Sequence, residues 1–290
     1  MTGNNIILNE PLSRHTSWKV GGLADVFFTP NDRNDLSHFL KSNDGSITWL
    51  GNGTNILVRD GGVKGVVIST KKAFKEIELM DKSSCKAEVG VSCFELAMYA
   101  TKNNLGPAAF FSGIPGSIGG ALTMNAGCFG HETWEFVKSI EVIDRNGEIH
   151  HLDPKEFSIS YRSVSFPFPL WFLSCDMTFP DKGVTTMEEL KSMRNSRIER
   201  QPLTENTCGS VFKNPDGNHA GDLIERSGLK GFRVAGCAVS GKHANFIVND
   251  KGATARDIET LIEHIQNTVK DRFGIDLDTE VRIIGEYDES

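Results

Sequence analysis

The fold is decided by the stretch Phe111-Ser112-Gly113-Ile114-Pro115-Gly116-Ser117-Ile118-Gly119-Gly120-Ala121, which continues through Met124-Asn125-Ala126-Gly127. Because glycine has no Cβ, a glycine-rich backbone can approach a ligand closely and adopt positive φ angles. Its N–H groups can then converge on an anion. The alternative is a flexible loop, but the apolar residues Ile114, Ile118 and Leu122 favour a packed one. The stretch therefore predicts a phosphate cradle.

A second, smaller glycine turn, Gly51-Asn52-Gly53-Thr54-Asn55, follows the apolar run Ile47–Leu50. Two glycine turns in one chain predict a ligand with two phosphates. Neither turn matches a familiar nucleotide-binding fingerprint. Ile56 stands where a Rossmann motif needs its third glycine, and no strand–turn–helix encloses Gly113–Gly120. Neither turn ends in the GK[ST] of a P-loop, so the turns indicate nucleotide binding of another kind, or none.

Composition and charge exclude several classes of protein. With 290 residues, 39% hydrophobic and 24% charged, the chain has the composition of a globular protein with two or more lobes. No apolar run approaches the roughly 20 residues of a membrane span. Met1–Asn5 lacks the basic and apolar regions of a signal peptide, so we expect no membrane insertion and a cytoplasmic location. A net charge of −7 argues against nucleic-acid binding.

No metal site is expected. The six cysteines form no CxxC pair and have no zinc-type spacing, and their scattered positions fit a reducing cytoplasm. The segment His131-Glu132-Thr133-Trp134-Glu135 resembles a zincin motif but has Glu135 in place of the second histidine. We therefore interpret this segment as a loop.

Hydrophobic periodicity, capping residues and turn residues predict a mixture of helices and strands. Predicted strands cover Asp25–Phe28, Gly65–Ser69, Phe74–Met80, Cys85–Val89, Lys138–Asp144, Glu148–Leu152, Trp171–Phe179, Phe246–Asn249 and Glu280–Ile284, with a strand–turn–strand over Trp49–Val58. Predicted helices cover Asp32–Lys41, Ser92–Asn104, Thr186–Gln201 and Thr254–Phe273. The dipeptide Asn146-Gly147 predicts a type I′ hairpin turn.

Three polar residues outside the glycine turns have more than one interpretation. Arg162, between apolar neighbours, is either a solvated edge residue or a fixed cation. Ser210 is either a turn or cap residue or a reactive hydroxyl, and no GxSxG motif surrounds it. Glu280, just before an apolar run, is either a strand-end carboxylate or a site residue. The residues alone leave these alternatives open.

Further blocks of sequence occur together with the two glycine turns between His15 and Gly285. They are Ser112-Gly113-Ile114-Pro115-Gly116, Met124-Asn125-Ala126-Gly127, Tyr161-Arg162-Ser163, Arg200-Gln201-Pro202, Gly209-Ser210-Val211-Phe212-Lys213-Asn214-Pro215, Ala220-Gly221-Asp222-Leu223-Ile224-Glu225, Gly228-Leu229-Lys230-Gly231, His243-Ala244-Asn245-Phe246 and Glu280-Val281. In these blocks the chain resembles the UDP-N-acetylenolpyruvoylglucosamine reductase family. That family belongs to the flavoproteins of the vanillyl-alcohol oxidase type.

The resemblance implies an α+β protein of the vanillyl-alcohol oxidase/p-cresol methylhydroxylase type. A two-lobed FAD-binding domain would occupy residues 1–71 and 72–193, and a C-terminal α+β substrate-binding domain would occupy residues 194–290. Some family members carry an extra loop with a substrate-clamping tyrosine between the arginine and serine blocks. Residues 163–209 contain no tyrosine, which places the chain with the short form of the family.

The resemblance also implies a reaction. FAD, held non-covalently, would use NADPH as co-substrate to reduce UDP-N-acetylglucosamine enolpyruvate to UDP-N-acetylmuramate, a step of peptidoglycan precursor synthesis. A cytoplasmic monomer is expected. Two alternatives are a related flavin oxidase, which passes electrons to oxygen, and a non-catalytic flavin- or nucleotide-binding module.

The site residues implied by the resemblance fall into three groups. The catalytic residues would be Arg162, which stabilises charge on the substrate carboxylate, Ser210 as general acid, and Glu280, which completes the polar cage. The cofactor-binding residues would be Gly51, Asn52, Gly53, Thr54, Asn55, Ile56, Gly113, Ile114, Pro115, Gly116, Ser117, Gly119, Gly120, Asn125, Ala126 and Gly127. The substrate-binding residues would be Lys213, Asn214, Lys230, Arg233, Lys242 and His243. Lys213 and Glu280 are both candidates to activate Ser210.

Overall fold

The computed structural model describes residues 5–180 and 183–288 as a mixture of helices and strands. The helices are α1 (Arg33–Lys41), α2 (Cys93–Lys102), α3 (Ile118–Met124), α4 (Met187–Arg200), α5 (Ala220–Arg226) and α6 (Ala255–Phe273). The strands are β1 (Ile6–Pro11), β2 (Leu23–Phe28), β3 (Ile47–Leu50), β4 (Ile56–Val58), β5 (Val63–Ser69), β6 (Ile77–Leu79), β7 (Ser84–Glu88), β8 (Gly127–Cys128), β9 (His131–Glu132), β10 (Val137–Asp144), β11 (Ile149–Leu152), β12 (Ser158–Ser160), β13 (Ser163–Ser165), β14 (Leu170–Thr178), β15 (Arg233–Val234), β16 (Cys237–Val239), β17 (Ile247–Asn249) and β18 (Arg282–Ile284). This mixture confirms the predicted α+β class.

The strands form separate sheets rather than one continuous sheet. A five-stranded sheet has the order β11-β10-β14-β7-β6, a four-stranded sheet the order β1-β2-β5-β3, and a three-stranded sheet the order β15-β16-β17. β18 pairs in parallel with β4, with Arg282 opposite Ile56. This pairing joins segments that are more than 200 residues apart in the sequence.

The chain folds into two compact units. Unit 1 comprises Met1–Ile7, Phe27–Asn52 and Val67–Asn195, and unit 2 comprises Leu8–Val26, Gly53–Val66 and Ser196–Ser290. The glycine turn that begins at Gly51 therefore starts in unit 1 and continues in unit 2. The division into domains at residues 71 and 193 stays a prediction.

The glycine-rich stretch of unit 1 is more helical than predicted. A 3₁₀ helix, Ala108–Gly113, precedes α3, and Ser117 caps the first turn of α3 by accepting from the Gly120 N–H over 3.4 Å. The prediction of a loop across Gly119 and Gly120 was therefore wrong. Burial of Ile118 on the apolar side of α3 offsets the low helix propensity of these glycines.

The hairpin predicted around Asn146-Gly147, β10–β11, is confirmed, but the predicted turn type was wrong. Ile143 pairs with Ile149, and Gly147 has φ +73°. Asn146 does not adopt the positive φ that a type I′ turn requires at both central residues. The Asp144 carboxylate accepts from the N–H groups of Asn146 and Glu148, each over 2.9 Å. These bonds hold a three-residue loop that ends in a left-handed glycine.

Unit 2 has its own hydrophobic core, which α6 covers. Helix α6 begins at the capping residue Thr254 and ends at Gly274, as predicted, and its apolar side is buried. Trp18, fully buried, donates from Nε1 to the Ile247 carbonyl over 2.8 Å. Asn249 donates from Nδ2 to the Trp18 carbonyl over 2.9 Å. The early segment around Trp18 is therefore tied into unit 2 by buried hydrogen bonds.

The remaining sequence predictions of secondary structure divide into those confirmed and those missed. The predicted helices at α1, α2 and α4 are confirmed, each with the expected N-terminal capping residue. The predicted strands at β2, β5, β7, β10, β14 and β17 are also confirmed. The missed helices and strands are α3, α5, the hairpin β12–β13 and the strands β1, β8, β9, β15 and β16, most of which are short. No helix of the described residues is both long and apolar enough to cross a membrane.

Candidate active site

Arg162 lies at the tip of the hairpin β12–β13, where Tyr161 and Arg162 form the turn. Its φ of +54° is uncommon for a residue that has a side chain. The guanidinium turns back towards the protein: Nη1 donates to the Asn125 carbonyl and Nη2 to the Gly127 carbonyl, each over 3.1 Å. Only 15% of the side chain is exposed. Of the two interpretations of Arg162, the structure supports the fixed cation.

Asn125 connects the end of α3 to this arginine. It adopts the left-handed conformation at φ +43°. Its Nδ2 donates to Glu132 Oε2 over 2.7 Å, and its Oδ1 accepts from the Trp134 N–H over 3.2 Å. Glu132 Oε1 in turn lies 3.6 Å from Arg162 Nη1. Sequence reasoning missed Glu132, which it treated as part of a loop, although the carboxylate belongs to this site.

The two glycine turns meet within unit 1. A Cβ placed on Gly51 would lie 3.0 Å from Ser117 Oγ, and a Cβ on Gly113 would lie 2.4 Å from Cys128 Sγ. The second distance is shorter than real Cβ contacts allow, so a side chain at Gly113 would displace its neighbour. Close approach, which glycine permits, is therefore what brings these segments together.

The longer glycine-rich stretch leaves space beside its backbone at Gly120 and contains a buried serine hydroxyl, that of Ser112. A Cβ on Gly120 would meet only Ser117 Oγ, at 3.9 Å, so space remains beside this turn of α3. Gly116 has φ +130°, a conformation that favours glycine. The Ser112 hydroxyl is buried and has no hydrogen-bond partner among the described residues. An unsatisfied buried hydroxyl costs about 1–3 kcal/mol, so these features fit a phosphate-bearing ligand such as the expected FAD.

In unit 2, residues Gly53–Asn55 of the smaller glycine turn pack against the segment that begins at His15. Gly53 has φ +66°, and a Cβ there would lie 1.9 Å from the His15 carbonyl oxygen. The Ser17 N–H donates to the Gly53 carbonyl over 2.9 Å. Asn55 Nδ2 donates to the Glu280 carbonyl over 3.0 Å. The turn is therefore fixed directly to the segment that carries one of the predicted catalytic residues.

Backbone hydrogen bonds bring Ser210 and Glu280 into the same part of unit 2. Val211, the residue after Ser210, accepts from the N–H of Glu280 over 2.8 Å and from the N–H of Val281 over 3.3 Å. Asn55 contacts the other side of Glu280. Two of the three predicted catalytic residues and part of the predicted cofactor turn therefore form one cluster.

Asn245 also stabilises this cluster, through hydrogen bonds to the two residues that follow Ser210. Its amide group is 4% exposed and pairs with Phe212 as a strand would, accepting from the Phe212 N–H over 3.0 Å and donating to its carbonyl over 2.8 Å. Its own carbonyl accepts from the Val211 N–H over 2.9 Å. Sequence reasoning assigned Asn245 no role, although an asparagine just before an apolar strand was a usable signal of a buried polar contact.

Lys213 and Asn214 continue the same segment, and both have structural contacts. The Lys213 N–H donates to the Asp278 carbonyl over 2.9 Å. Asn214 Oδ1 accepts from the Ala220 N–H at the start of α5 over 3.0 Å. Asn214 therefore helps to begin a helix, and its contact with substrate stays a prediction.

The three other predicted basic residues of unit 2 each have a protein partner. Arg233 forms a bidentate pair with Asp250 at 2.7 and 2.8 Å. Lys230 Nζ lies 3.0 Å from Glu225 Oε1, and Lys242 Nζ donates to the Ile198 carbonyl over 3.4 Å. These pairs are largely exposed, so each contributes little to stability. Their predicted contacts with the diphosphate are not tested by this arrangement.

His243 is held in a neutral form suited to donating one hydrogen bond. Burial lowers the pKa of His243 below its ordinary value of 6.5, and the positive charge of Lys230 lowers it further. Nδ1 accepts from the Asn245 N–H over 3.2 Å. A neutral ring that accepts at Nδ1 carries its proton on Nε2, which leaves that N–H as the donor.

Two known families match successive parts of the chain. Residues 24–153 match the FAD binding domain family. Residues 201–284 match the family described as UDP-N-acetylenolpyruvoylglucosamine reductase, C-terminal domain. The chain is therefore a flavoprotein oxidoreductase that combines an FAD-binding domain with a reductase C-terminal domain.

Similarity to individual relatives extends over nearly the whole chain. The chain is 44% identical over 285 residues to a UDP-N-acetylenolpyruvoylglucosamine reductase of Legionella pneumophila strain Paris, covering 97% of this chain and 94% of the relative. It is 44% identical to the enzyme of that name from Methylococcus capsulatus, covering 96% and 92%. The crystal structure of UDP-N-acetylenolpyruvylglucosamine reductase from Thermus caldophilus matches with a TM-score of 0.78 at 28% identity, covering 96% and 97%. The chain belongs to the UDP-N-acetylenolpyruvoylglucosamine reductase family.

A substitution at Gly116 tests whether this backbone approaches a phosphate. Gly116→Val should yield a folded protein that purifies largely without flavin, because the branched side chain would occupy the space of the ligand and oppose the positive φ. The ratio of flavin absorbance to protein absorbance measures the occupancy. Gly130→Val is the matched control, since Gly130 also has a positive φ but a Cβ there meets nothing within 4 Å. Full flavin occupancy in folded Gly116→Val would contradict the assignment.

The lowered pKa of His243 predicts a change in stability with pH. The unfolded chain protonates this histidine below about pH 6.5, whereas the folded protein keeps it neutral to a lower pH. The unfolded state is therefore favoured as the pH falls, and stability is lost. His243→Asn keeps an acceptor for the Asn245 N–H but cannot titrate. We expect urea denaturation to show that the variant gains stability relative to the wild type between about pH 7.5 and about pH 5.5.

The exposed residue His219 supplies the comparison for that measurement. A His219→Asn variant should show no such gain relative to the wild type over the same pH range. A His243→Asn variant whose stability stayed parallel to the wild type would show that His243 is not held neutral by the fold.

Proposed function

We propose that the protein reduces UDP-N-acetylglucosamine enolpyruvate to UDP-N-acetylmuramate with NADPH as hydride donor, in peptidoglycan precursor synthesis. The observation that carries the proposal is the cluster in unit 2, where the carbonyl of Val211, the residue after Ser210, accepts from the Glu280 N–H over 2.8 Å. The 44% identity to relatives named for this reductase supports the same reaction. When bound, FAD supplies hydride transfer from NADPH to the terminal vinyl carbon of the substrate.

Cofactor binding is assigned to the backbone of the two glycine turns. Residues Gly51–Ile56 would contact FAD from one turn. Gly113–Ser117, Gly119 and Gly120 with Asn125–Gly127 would contact it from the other. The close approach of Gly51 to Ser117 supports a shared role for the two turns. The unused Ser112 hydroxyl would supply a further hydrogen bond.

Arg162 is assigned to the substrate carboxylate, where negative charge develops as hydride reaches the vinyl group. A guanidinium stays charged throughout the pH range of proteins and grips a carboxylate with two parallel N–H bonds. Because the Asn125 and Gly127 carbonyls already hold the group, it needs little reorganisation when charge appears. A donor fixed in advance stabilises the transition state more than the ground state.

Ser210 is assigned as the acid that protonates the carbon next to the carboxylate. A serine hydroxyl is a weak acid, so a neighbour must stabilise the alkoxide or return a proton. The two candidates are Glu280, whose N–H donates to the Val211 carbonyl, and Lys213, which lies three residues after Ser210. The neutral His243 would donate from Nε2 to the substrate. Lys213, Asn214, Lys230, Arg233 and Lys242 would supply further contacts, the basic ones to the diphosphate.

The proposal also includes the form of the family, the location, the oligomeric state and the domain boundaries of the protein. The chain is of the short form, since residues 163–209 contain no tyrosine that could clamp the substrate. It acts as a cytoplasmic monomer with lobes 1–71 and 72–193 for FAD and domain 194–290 for substrate. FAD is held without a covalent bond.

Acid precipitation tests the non-covalent attachment. We expect a yellow supernatant, because Ser112–Gly130 contains no histidine and His131, just beyond it, is engaged by Glu135 over 3.0 Å. A yellow pellet would show a covalent bond. The same test on His131→Asn would then locate it.

Stopped-flow absorbance separates the half-reaction with NADPH from the half-reaction with the enolpyruvyl sugar. Ser210→Ala should leave the first unchanged and slow the second by about 10²-fold or more, the usual scale of general acid catalysis. Ser210→Cys should recover part of the rate, because a thiol is more acidic than an alcohol. Arg162→Lys is the comparison, since it keeps the charge but loses the fork and should weaken substrate binding as well. Equal slowing of both half-reactions by Ser210→Ala would assign Ser210 to positioning.

A further inference from the structure

The segment that resembles a zincin motif has a different arrangement in the structure. His131 and Glu132 form β9, which pairs with β8 so that Glu132 lies opposite Gly127. The Glu132 N–H donates to Glu135 Oε1 over 2.8 Å, and His131 Nδ1 lies 3.0 Å from the other oxygen of the same carboxylate. Glu135 therefore fixes the backbone of the segment. The Glu132 carboxylate contacts Asn125 and Arg162.

The two oxygens of the Glu132 carboxylate have different partners. Oε2 accepts from Asn125 Nδ2 over 2.7 Å, while Oε1 lies 3.6 Å from Arg162 Nη1. The same guanidinium nitrogen donates to the Asn125 carbonyl over 3.1 Å. Glu132, Asn125 and Arg162 therefore form a closed ring of contacts. Within that ring, Glu132 orients both the cation and the residue whose carbonyl holds it.

Within this ring the guanidinium is more deeply buried than the carboxylate. The Arg162 side chain is 15% exposed and the Glu132 side chain 37% exposed. The carboxylate is thus the more hydrated partner, and its separation of 3.6 Å from Nη1 makes a loose ion pair rather than a tight bidentate one. Such a pair still restrains the direction of the guanidinium. The guanidinium carbon of Arg162 also lies 4.8 Å from the centre of the Tyr161 aromatic ring, and this contact restrains the plane of the guanidinium.

We propose that Glu132 is a positioning residue that aims Arg162 at the carboxylate of the sugar nucleotide. The inference rests on the proposed function, which assigns Arg162 to that carboxylate. Glu132 acts through Arg162 and Asn125 and does not itself touch the substrate. Through Arg162, Glu132 would therefore affect recognition of the lactyl or enolpyruvyl carboxylate of the ligand. It would not affect recognition of the nucleotide or the sugar.

Binding to the flavin-loaded enzyme tests this role with two probes that differ in the carboxylate. UDP-N-acetylmuramate carries the carboxylate, and UDP-N-acetylglucosamine lacks it. Glu132→Gln keeps an oxygen acceptor for Asn125 but removes the charge next to Arg162. Calorimetry should show that this variant binds UDP-N-acetylmuramate about 2- to 5-fold more weakly, the scale of one partly exposed ion pair. Its affinity for UDP-N-acetylglucosamine should match the wild type, whereas a merely structural role would weaken both.

A matched control and a double variant isolate the contact. Glu135→Gln alters the same short segment, and among the described contacts its carboxylate meets His131 and the backbone of Glu132 rather than Arg162. We expect it to leave both affinities unchanged. In an Arg162→Lys background, Glu132→Gln should produce no further loss of UDP-N-acetylmuramate affinity, because contacts within one network are not additive.

The outcomes separate this inference from the proposed function. If Arg162→Lys weakens UDP-N-acetylmuramate binding but Glu132→Gln does not, Glu132 has no positioning role and the assignment of Arg162 survives. If Arg162→Lys leaves both affinities unchanged, both proposals fail. Equal weakening of both ligands by Glu132→Gln, or full additivity with Arg162→Lys, would likewise overturn the positioning role.

Discussion

The hydrogen bonds that converge on Val211 are the constraint on which the arrangement of unit 2 depends. Val211 donates to Asn245 and accepts from Glu280, so one residue holds together segments 34 and 69 positions further along the chain. Asn245 adds a second pair of bonds to Phe212 from its side chain. Because these groups are buried, losing one partner would leave another unsatisfied, at a cost of about 1–3 kcal/mol. The position of Ser210 follows from this arrangement.

In unit 1, backbone carbonyls and a carboxylate together fix the direction of a guanidinium. Arg162 donates to the carbonyls of Asn125 and Gly127, and Glu132 Oε1 lies 3.6 Å from its Nη1. The carbonyls belong to Asn125 and Gly127, at the end of the same glycine-rich stretch that opens its backbone at Gly120. A single stretch therefore provides both the close approach expected for a phosphate and the support for the arginine.

Much of the fold could be predicted because its signals are local. Thr254 and Gly274 bracket α6, Ser92 with Glu95 begins α2, and the strands next to Asn146-Gly147 pair as expected. Predictions failed where a local preference competed with packing. Gly119 and Gly120 indicated a loop, but capping by Ser117 and burial of Ile118 made a short helix. The turn at Asn146 has another type because the Asp144 carboxylate captures the N–H groups of the loop.

From the amino-acid sequence alone we could identify the two glycine turns, the longer helices and, through resemblance, the family. The roles of Arg162, Ser210 and Glu280 in the site stay predictions. Only the tertiary structure decided which groups surround them. Arg162 faces two carbonyls, Glu280 is bonded to Val211, and Glu132 and Asn245 have contacts that we did not predict from the sequence. Periodicity and capping report on neighbours within a few positions of the chain. Contacts between residues 30 to 70 positions apart form only when the whole core has closed, because burial then leaves each polar group a single available partner.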